Sequence, residues 1–103
     1  MFKIGEKDYE LKFNIARCKL IEAATGKSVV AALALGNDYQ MSLSDIDAMF
    51  RFGLKEAGAD VFIMPKFASE LCEQYMEENG YTKTVALLIR EMVSQMGFLF
   101  RQG

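Results

Sequence analysis

Residues 82–103 read TKTVALLIREMVSQMGFLFRQG, the pattern of an apolar helix that continues to the end of the sequence. Seven apolar side chains recur along one side of this helix: Val85, Leu88, Ile89, Met92, Val93, Met96 and Phe100. Leu87 and Phe98 fall on the opposite side, which also carries Arg90. A helix that is apolar on both sides lies either deep in a core or against a partner. We therefore expect this segment to supply core, binding surface, or both.

Length and composition predict a single folded domain. The chain has 103 residues, of which 51% are hydrophobic and 25% are charged, and these proportions exclude an intrinsically disordered protein. A chain of this length buries roughly 65% of its unfolded surface, enough for one modest core. We expect one domain over residues 1–103, with a β-hairpin at residues 1–13 and a compact bundle of four to five helices at residues 14–103.

The charge of the chain argues against a nucleic-acid partner. The net charge is −2 and the basic residues are scattered, whereas nucleic-acid binding needs clustered Lys and Arg. No run reaches the roughly 18 apolar residues of a membrane span. The first residues, MFKIGEKDYELKF, lack the apolar core of a signal peptide. We therefore expect a cytoplasmic protein that binds neither nucleic acid nor membrane.

The first 13 residues alternate between apolar and charged side chains. The apolar positions are Phe2, Ile4, Tyr9, Leu11 and Phe13. This period of two predicts strands, and residues 5–8, GEKD, supply the turn of a β-hairpin. An isolated hairpin is only marginally stable, so its apolar face must rest on the helices.

Capping residues and glycines divide the rest of the chain into helices. The predicted helices are residues 15–24, residues 29–35, a helix that starts at Ser42 or Ser44 and runs to Ala57, residues 66–79, and a last helix that starts at Thr82 or Thr84. Asn14 and Ser28 are the predicted N-caps of the first two helices, and Gly26 is the predicted end of the first. Residues 60–65 are either a buried turn or an extra helical turn.

The sequence also predicts which helical faces are apolar. Ala16, Leu20 and Ala23 share one face of the first helix. Residues 29–35, VVAALAL, are apolar enough to be buried throughout, and their alanines disfavour the alternative of a short strand. Phe67 is expected in the apolar stripe of residues 66–79.

The two cysteines, Cys18 and Cys72, lie among apolar residues of predicted helices. This placement indicates two buried free thiols in a reducing compartment. A disulfide or a redox pair is the alternative, and no motif supports it. The chain has no histidine, and two distant cysteines do not make a zinc site. We expect neither a metal nor another cofactor.

No residue pattern indicates catalysis. Residues 25–28, TGKS, match the end of a P-loop, but Ile21 stands where the first P-loop glycine belongs and a helix precedes the motif. Asp45 and Asp47 are two residues apart, so they do not face each other on a helix. Without histidine, no serine or cysteine has an evident activating base. We expect a binding protein, not an enzyme.

The candidate partner-binding residues lie in the last helix. They are Leu87, Met92, Met96, Phe98, Leu99 and Phe100. The more polar stripe of the helix consists of Leu87, Glu91, Ser94, Phe98 and Arg101. Methionines are adaptable contacts, and an exposed apolar patch marks a binding site. Most apolar residues of segment 85–96 are expected in the core. The residues that internal packing does not account for are Leu87, Phe98, Leu99 and Phe100, and this rim suits a helical partner or self-association.

Several segments together resemble a known family. They are the hairpin IGEKDYELKFN (4–14), the helix ARCKLIEAATG (16–26), the segment SLSDIDAMFRFGLKEAG (42–58), an acidic helix and an apolar terminal helix. In this layout the chain resembles the tail assembly chaperones of long-tailed phages and prophages of Gram-positive bacteria. The resemblance covers nearly the whole chain and involves no signature motif.

The resemblance implies a small, largely helical protein that acts in the host cytoplasm and is absent from the mature virion. Such proteins bind the tape measure protein, keep it soluble and help to recruit tail tube subunits around it. In many of these phages a ribosomal frameshift appends a second domain to some copies, and the ending at residues 100–103 is compatible with that arrangement. The family has no catalytic residues.

A small helical transcription regulator is the alternative function. Residues 42–57 have the length of part of a helix-turn-helix motif. The acidic balance of the chain and the lack of basic residues beside any helix start disfavour DNA binding. An adaptor protein that contributes only contacts is a third possibility.

Overall fold

The chain folds into five helices and a small antiparallel sheet within residues 1–100, the part that the computed structural model describes. The strands are β1 (Phe2–Ile4), β2 (Lys7–Leu11) and β3 (Leu54–Glu56). The helices are α1 (Ile15–Thr25), α2 (Val29–Asn37), α3 (Leu43–Gly53), α4 (Pro65–Asn79) and α5 (Tyr81–Met96), and a 3₁₀ turn (Gly97–Phe100) follows α5. The predicted fold class, a mainly α domain that begins with a β-hairpin, is confirmed.

The sheet contains a third strand that the sequence analysis did not predict. β2 pairs antiparallel with β1 on one side and with β3 on the other, where Leu11 faces Leu54. The predicted continuation of the third helix to Ala57 is therefore wrong, because α3 ends at Gly53. A two-stranded hairpin is marginal on its own, so β3 strengthens the sheet, and it buries Leu54 completely.

The change from α3 to β3 depends on a close approach at Gly53. A Cβ atom at this position would lie 2.7 Å from Cε1 of Phe13, well inside the normal contact distance of two carbon atoms. Phe13 is itself almost completely buried. The backbone N–H of Lys12 donates a hydrogen bond to the carbonyl oxygen of Gly53 at 2.8 Å. The end of the hairpin therefore packs directly on a residue that has no side chain.

The predicted caps of the first two helices are confirmed. The side chain of Asn14 accepts a hydrogen bond from the N–H of Arg17 at 2.8 Å, and the hydroxyl of Ser28 accepts one from the N–H of Ala31 at 3.0 Å. Gly26 ends α1 in the left-handed conformation, with φ at 76°. Local sequence therefore determines where α1 ends and α2 begins.

The buried face of α1 differs from the predicted one. The three residues expected to share its apolar face are exposed: Ala16, Leu20 and Ala23. The buried residues are Cys18 and Ile21, and Sγ of Cys18 lies 3.8 Å from Sδ of Met92 in α5. Contact with α3, and with Met92 of α5, therefore selects the buried face of α1, and the stripe that contains Leu20 is left in solvent.

α2 is helical as predicted but is buried on one side only. Its buried residues are Val29, Ala32, Leu33 and Gly36. Val30 is 41% exposed, so the expectation that the whole segment is buried is wrong. A Cβ atom on Gly36 would lie 3.2 Å from Cγ1 of Val85, which shows how closely α2 approaches α5.

α5 is the central helix of the domain. It packs against α2, α3 and α4, and Met92 in its middle is fully buried. The hydroxyl of Tyr81 donates a hydrogen bond to the carbonyl oxygen of Met41 at 2.8 Å, which ties the start of α5 to the loop between α2 and α3. The prediction that most apolar residues of segment 85–96 form the core is confirmed, and Val93 is an exception at 46% exposed.

One side chain of α5 joins the two ends of the fold. The side-chain oxygen of Gln95 accepts a hydrogen bond from the N–H of Phe13 at 2.7 Å, and its amide nitrogen donates one to the carbonyl oxygen of Leu11 at 2.7 Å. Gln95 thus supplies hydrogen-bond partners for the backbone at the end of β2, as a neighbouring strand would. Its two partners are 82 and 84 positions away in the sequence.

We expect Gly53→Ala to destabilise the protein by about 1–3 kcal/mol, the usual cost of overpacking a core. The added methyl group would overlap the ring of Phe13. Gly97→Ala is the matched control, because no atom lies within 4 Å of its Cβ position and its backbone is helical. Urea denaturation measures both variants, and equal stability would contradict the close approach.

We expect Gln95→Met to lower the free energy of unfolding by about 2–3 kcal/mol, because it leaves two backbone groups without partners. Methionine keeps the length of the side chain, so the loss reports the hydrogen bonds and not the packing. Ser94→Ala changes the exposed neighbouring residue and is the control. A Gln95→Met variant as stable as Ser94→Ala would show that these hydrogen bonds contribute nothing.

Candidate functional site

The six residues of the predicted partner-binding site lie at three depths. Leu87, Met92 and Met96 are 4%, 0% and 2% exposed, Leu99 and Phe100 are partly buried against the core, and Phe98 is 46% exposed. The expectation that Leu87 faces outward is wrong, because neighbouring helices cover α5 on more than one side. Met92 and Met96 are likewise core residues and reach no partner in this conformation.

The part of the predicted site that reaches the surface is the 3₁₀ turn after α5. Phe98 exposes nearly half of its surface there, while Leu99 and Phe100 pack against the core and hold the turn in place. Arg101, which the sequence places on the same stripe as Phe98, and the ending at residues 101–103 lie outside the described residues. The terminal turn is therefore a small apolar surface on the end of the central helix.

A second apolar surface lies on the loop before α4 and in the first turn of that helix. Val61, Met64 and Phe67 are 72%, 76% and 51% exposed. Residues 60–64 are neither a buried turn nor a helical turn, and the prediction that Phe67 belongs to a buried stripe is wrong. The guanidinium carbon of Arg17 lies 3.6 Å from the centre of the Phe62 ring, a cation–π contact that fixes the loop on α1.

A groove of about 830 Å³ lies between α3 and α4. Its apolar lining consists of Ala24, Leu43, Ala48, Cys72 and Met76. A smaller cavity of about 430 Å³ shares part of this lining and extends to the first residues of α4. Sequence reasoning missed this groove. The available signal is the spacing of Glu70, Glu73 and Glu77, which places their carboxylates on one side of α4.

Asp47 organises the polar groups of the groove. One of its carboxylate oxygens accepts a hydrogen bond from the hydroxyl of Ser69. The other lies 3.6 Å from Nη1 of Arg51, one helical turn further along α3. Asp47 therefore neutralises Arg51 and links α3 to α4 across the groove.

Cys72 lines the same groove but remains chemically inert. Burial raises the pKa of its thiol to about 12, and the nearby carboxylates of Asp47 and Glu73 contribute to the rise. The thiolate is the reactive form of cysteine, so Cys72 is a poor nucleophile near neutral pH. The prediction of two buried free thiols is confirmed for Cys72 and Cys18.

The residues that match the end of a P-loop have a structural role. Nζ of Lys27 lies 3.0 Å from Oδ2 of Asp45, whose side chain is almost completely buried. Pairing reduces the cost of burying this carboxylate. The hydroxyl of Ser42 accepts a hydrogen bond from the N–H of Asp45 at 3.0 Å and caps α3. Lys27 thus ties the connection between α1 and α2 to the start of α3.

Three surfaces are the candidates for binding: the terminal turn, the apolar loop before α4, and the groove between α3 and α4. Among the described residues, no group of three or more His, Cys, Asp or Glu is placed to hold a metal ion. No helix within residues 1–100 is long and apolar enough to cross a membrane. Comparisons of the chain with protein-family models, curated proteins and solved structures gave no match.

The buried Cys72 thiol predicts a loss of stability at alkaline pH. In the folded protein its pKa is about 12, whereas the unfolded value is near 9.0. Below pH 8 both states keep the proton and stability is unaffected. Above pH 9 the unfolded chain loses a proton that the folded chain retains, so stability falls, by on the order of 1 kcal/mol at pH 10.

Cys72→Ala removes this titration. Urea denaturation of the wild type and of Cys72→Ala at pH 7 and pH 10 measures the effect. The loss of unfolding free energy between the two pH values should be smaller in Cys72→Ala by on the order of 1 kcal/mol. The same loss in both proteins would contradict the raised pKa.

Proposed function

We propose that this protein is a phage tail assembly chaperone, a non-catalytic protein that binds the tape measure protein and keeps it soluble. It also helps to recruit tail tube subunits around this client. The likeness of segment layout to that family supports the proposal. The observation that carries it is the terminal turn, where Phe98 is 46% exposed at the end of the central helix.

A long helical client exposes apolar stripes until other subunits cover them. Phe98 suits such a stripe: it is 46% exposed, so covering it contributes about half of the roughly 1.5–3 kcal/mol for full burial of a large apolar side chain. Leu99 and Phe100 extend the apolar surface next to it. α5 is fixed in the core, so the turn is already ordered before binding, and less conformational entropy is lost when the client docks.

The small size of the contact fits a temporary role. One exposed phenylalanine and two partly buried neighbours give weak binding, and weak binding allows the client to be released. Several copies bound along one long client would shield it together, each through its own turn. In this proposal the protein acts in the host cytoplasm and leaves before the virion is complete.

We expect Phe98→Asp to fold normally and to bind the client at least about tenfold more weakly, because a charge replaces the main apolar contact. Co-expression with the tape measure protein of the same genome measures the effect as the fraction of client that stays soluble. Pull-down of the soluble client measures direct binding.

Val93→Asp is the matched control for this experiment. Val93 lies on α5 and is also 46% exposed, so the substitution has the same charge and a similar surface cost. Met96→Asp is unsuitable, because Met96 is only 2% exposed and a charge there would unfold the core. A client that remains equally soluble with Phe98→Asp would refute the role of the turn, and so would an equal loss with Val93→Asp.

A further inference from the structure

We infer that this protein self-associates by placing α1 of one copy into the groove between α3 and α4 of a second copy. The two surfaces are the exposed stripe of α1 and the groove of about 830 Å³ between α3 and α4. Neither includes the terminal turn, so the inference goes beyond the proposed function and does not rest on it.

The exposed stripe of α1 has the composition of a helix–helix contact. Its members are Ile15, Ala16, Lys19, Leu20 and Ala23, all exposed. Ile15 and Leu20 are 54% and 43% exposed, and the two alanines allow close approach of another helix. The core already uses the other face of α1, through Cys18 and Ile21. An apolar stripe that the core does not use marks a contact with a partner.

The groove is about as long as α1. The two cavities follow α4 from Pro65 to Glu77, a distance of about 18 Å at the helical rise. α1 has 11 residues and is about 16 Å long. The floor of the groove includes the small side chains of Ala48 and Cys72, so a third helix can pack against α3 and α4 as helices commonly do.

The charges of the two surfaces are complementary. On the α4 side of the groove and its extension, Glu70, Glu73 and Glu77 outnumber Lys66. On the α3 side Asp47 pairs with Arg51, so the lining is acidic overall. Among residues 1–100, the ion pairs include none of these three glutamates. Like charges three or four residues apart destabilise a helix, and a basic partner relieves that repulsion. Lys19 lies in the middle of the α1 stripe and supplies such a charge.

The placement of the two surfaces permits a closed dimer. Ala24, near the end of α1, lines the groove of its own copy, so α1 borders the groove. A two-fold axis there places each α1 in the groove of the other copy, and a two-fold interface of this kind closes without further growth. The contact therefore predicts a dimer.

Sedimentation equilibrium at protein concentrations up to about 500 µM tests the inference, because this range includes the dissociation constants expected of a weak dimer. The wild type is expected to dimerise. Lys19→Glu and Glu73→Lys, both at exposed positions, should each weaken dimerisation at least about tenfold, because each turns attraction into repulsion at both contacts. Asp38→Lys, an exposed charge reversal outside the groove, should leave the dimer unchanged.

Mixing the two weakened variants gives the sharpest result. In a heterodimer of Lys19→Glu with Glu73→Lys, one contact carries both reversed charges and the other carries both original charges. Equal amounts of the two variants should therefore dimerise about as well as the wild type, although neither does so alone.

Several results would overturn the inference. They are a wild type that remains monomeric throughout the concentration range, a mixture that stays as weak as its components, and a dimer that Asp38→Lys disrupts equally. A dimer lost in Phe98→Asp but kept in Lys19→Glu would place self-association at the terminal turn instead. A monomeric wild type whose groove binds a basic helix from another protein would equally exclude the second copy as occupant.

Discussion

The two hydrogen bonds between Gln95 and the backbone of Leu11 and Phe13 hold α5 against the N-terminal hairpin. They bring the last turns of α5 against the hairpin, while Tyr81 ties the first turn to the loop before α3. α1, α2, α3 and α4 then contact α5 along its length. This central position explains why α5 is apolar on more than one side, since helices on several sides must each find an apolar contact.

The same arrangement limits what α5 can offer to a partner. Its apolar residues are mostly used inside the domain. Between Tyr81 and Phe100, only Val93 and Phe98 are exposed large hydrophobic side chains. A binding site on the turn is small and well ordered because the helix behind it cannot move without opening the core. The core residues of α5 and the candidate site in the 3₁₀ turn thus follow each other directly in the chain.

Local sequence signals predicted the helices and the caps of α1 and α2, while long-range contacts decided which helical faces are buried and where α3 ends. Asn14, Gly26 and Ser28 act through hydrogen bonds and dihedral angles within a few residues, so their roles could be read from the sequence. β3 could not be predicted, because Leu54–Glu56 becomes a strand only beside β2. The burial of Leu87 and the exposure of Leu20 likewise depend on which helices lie alongside. Phe98, which the sequence places on the same stripe as Leu87, is exposed because it lies beyond the end of α5, in the 3₁₀ turn.

Amide hydrogen exchange, resolved by residue in the free protein, tests the central position of α5 most directly. The amides of the middle of α5 and of Phe13 should exchange at one slow rate set by global unfolding, because they belong to one cooperative unit. The amides of Gly97–Phe100 should exchange faster. Rapid exchange of α5 while α3 and α4 stay protected would contradict this account, since it would make the last helix a detachable arm.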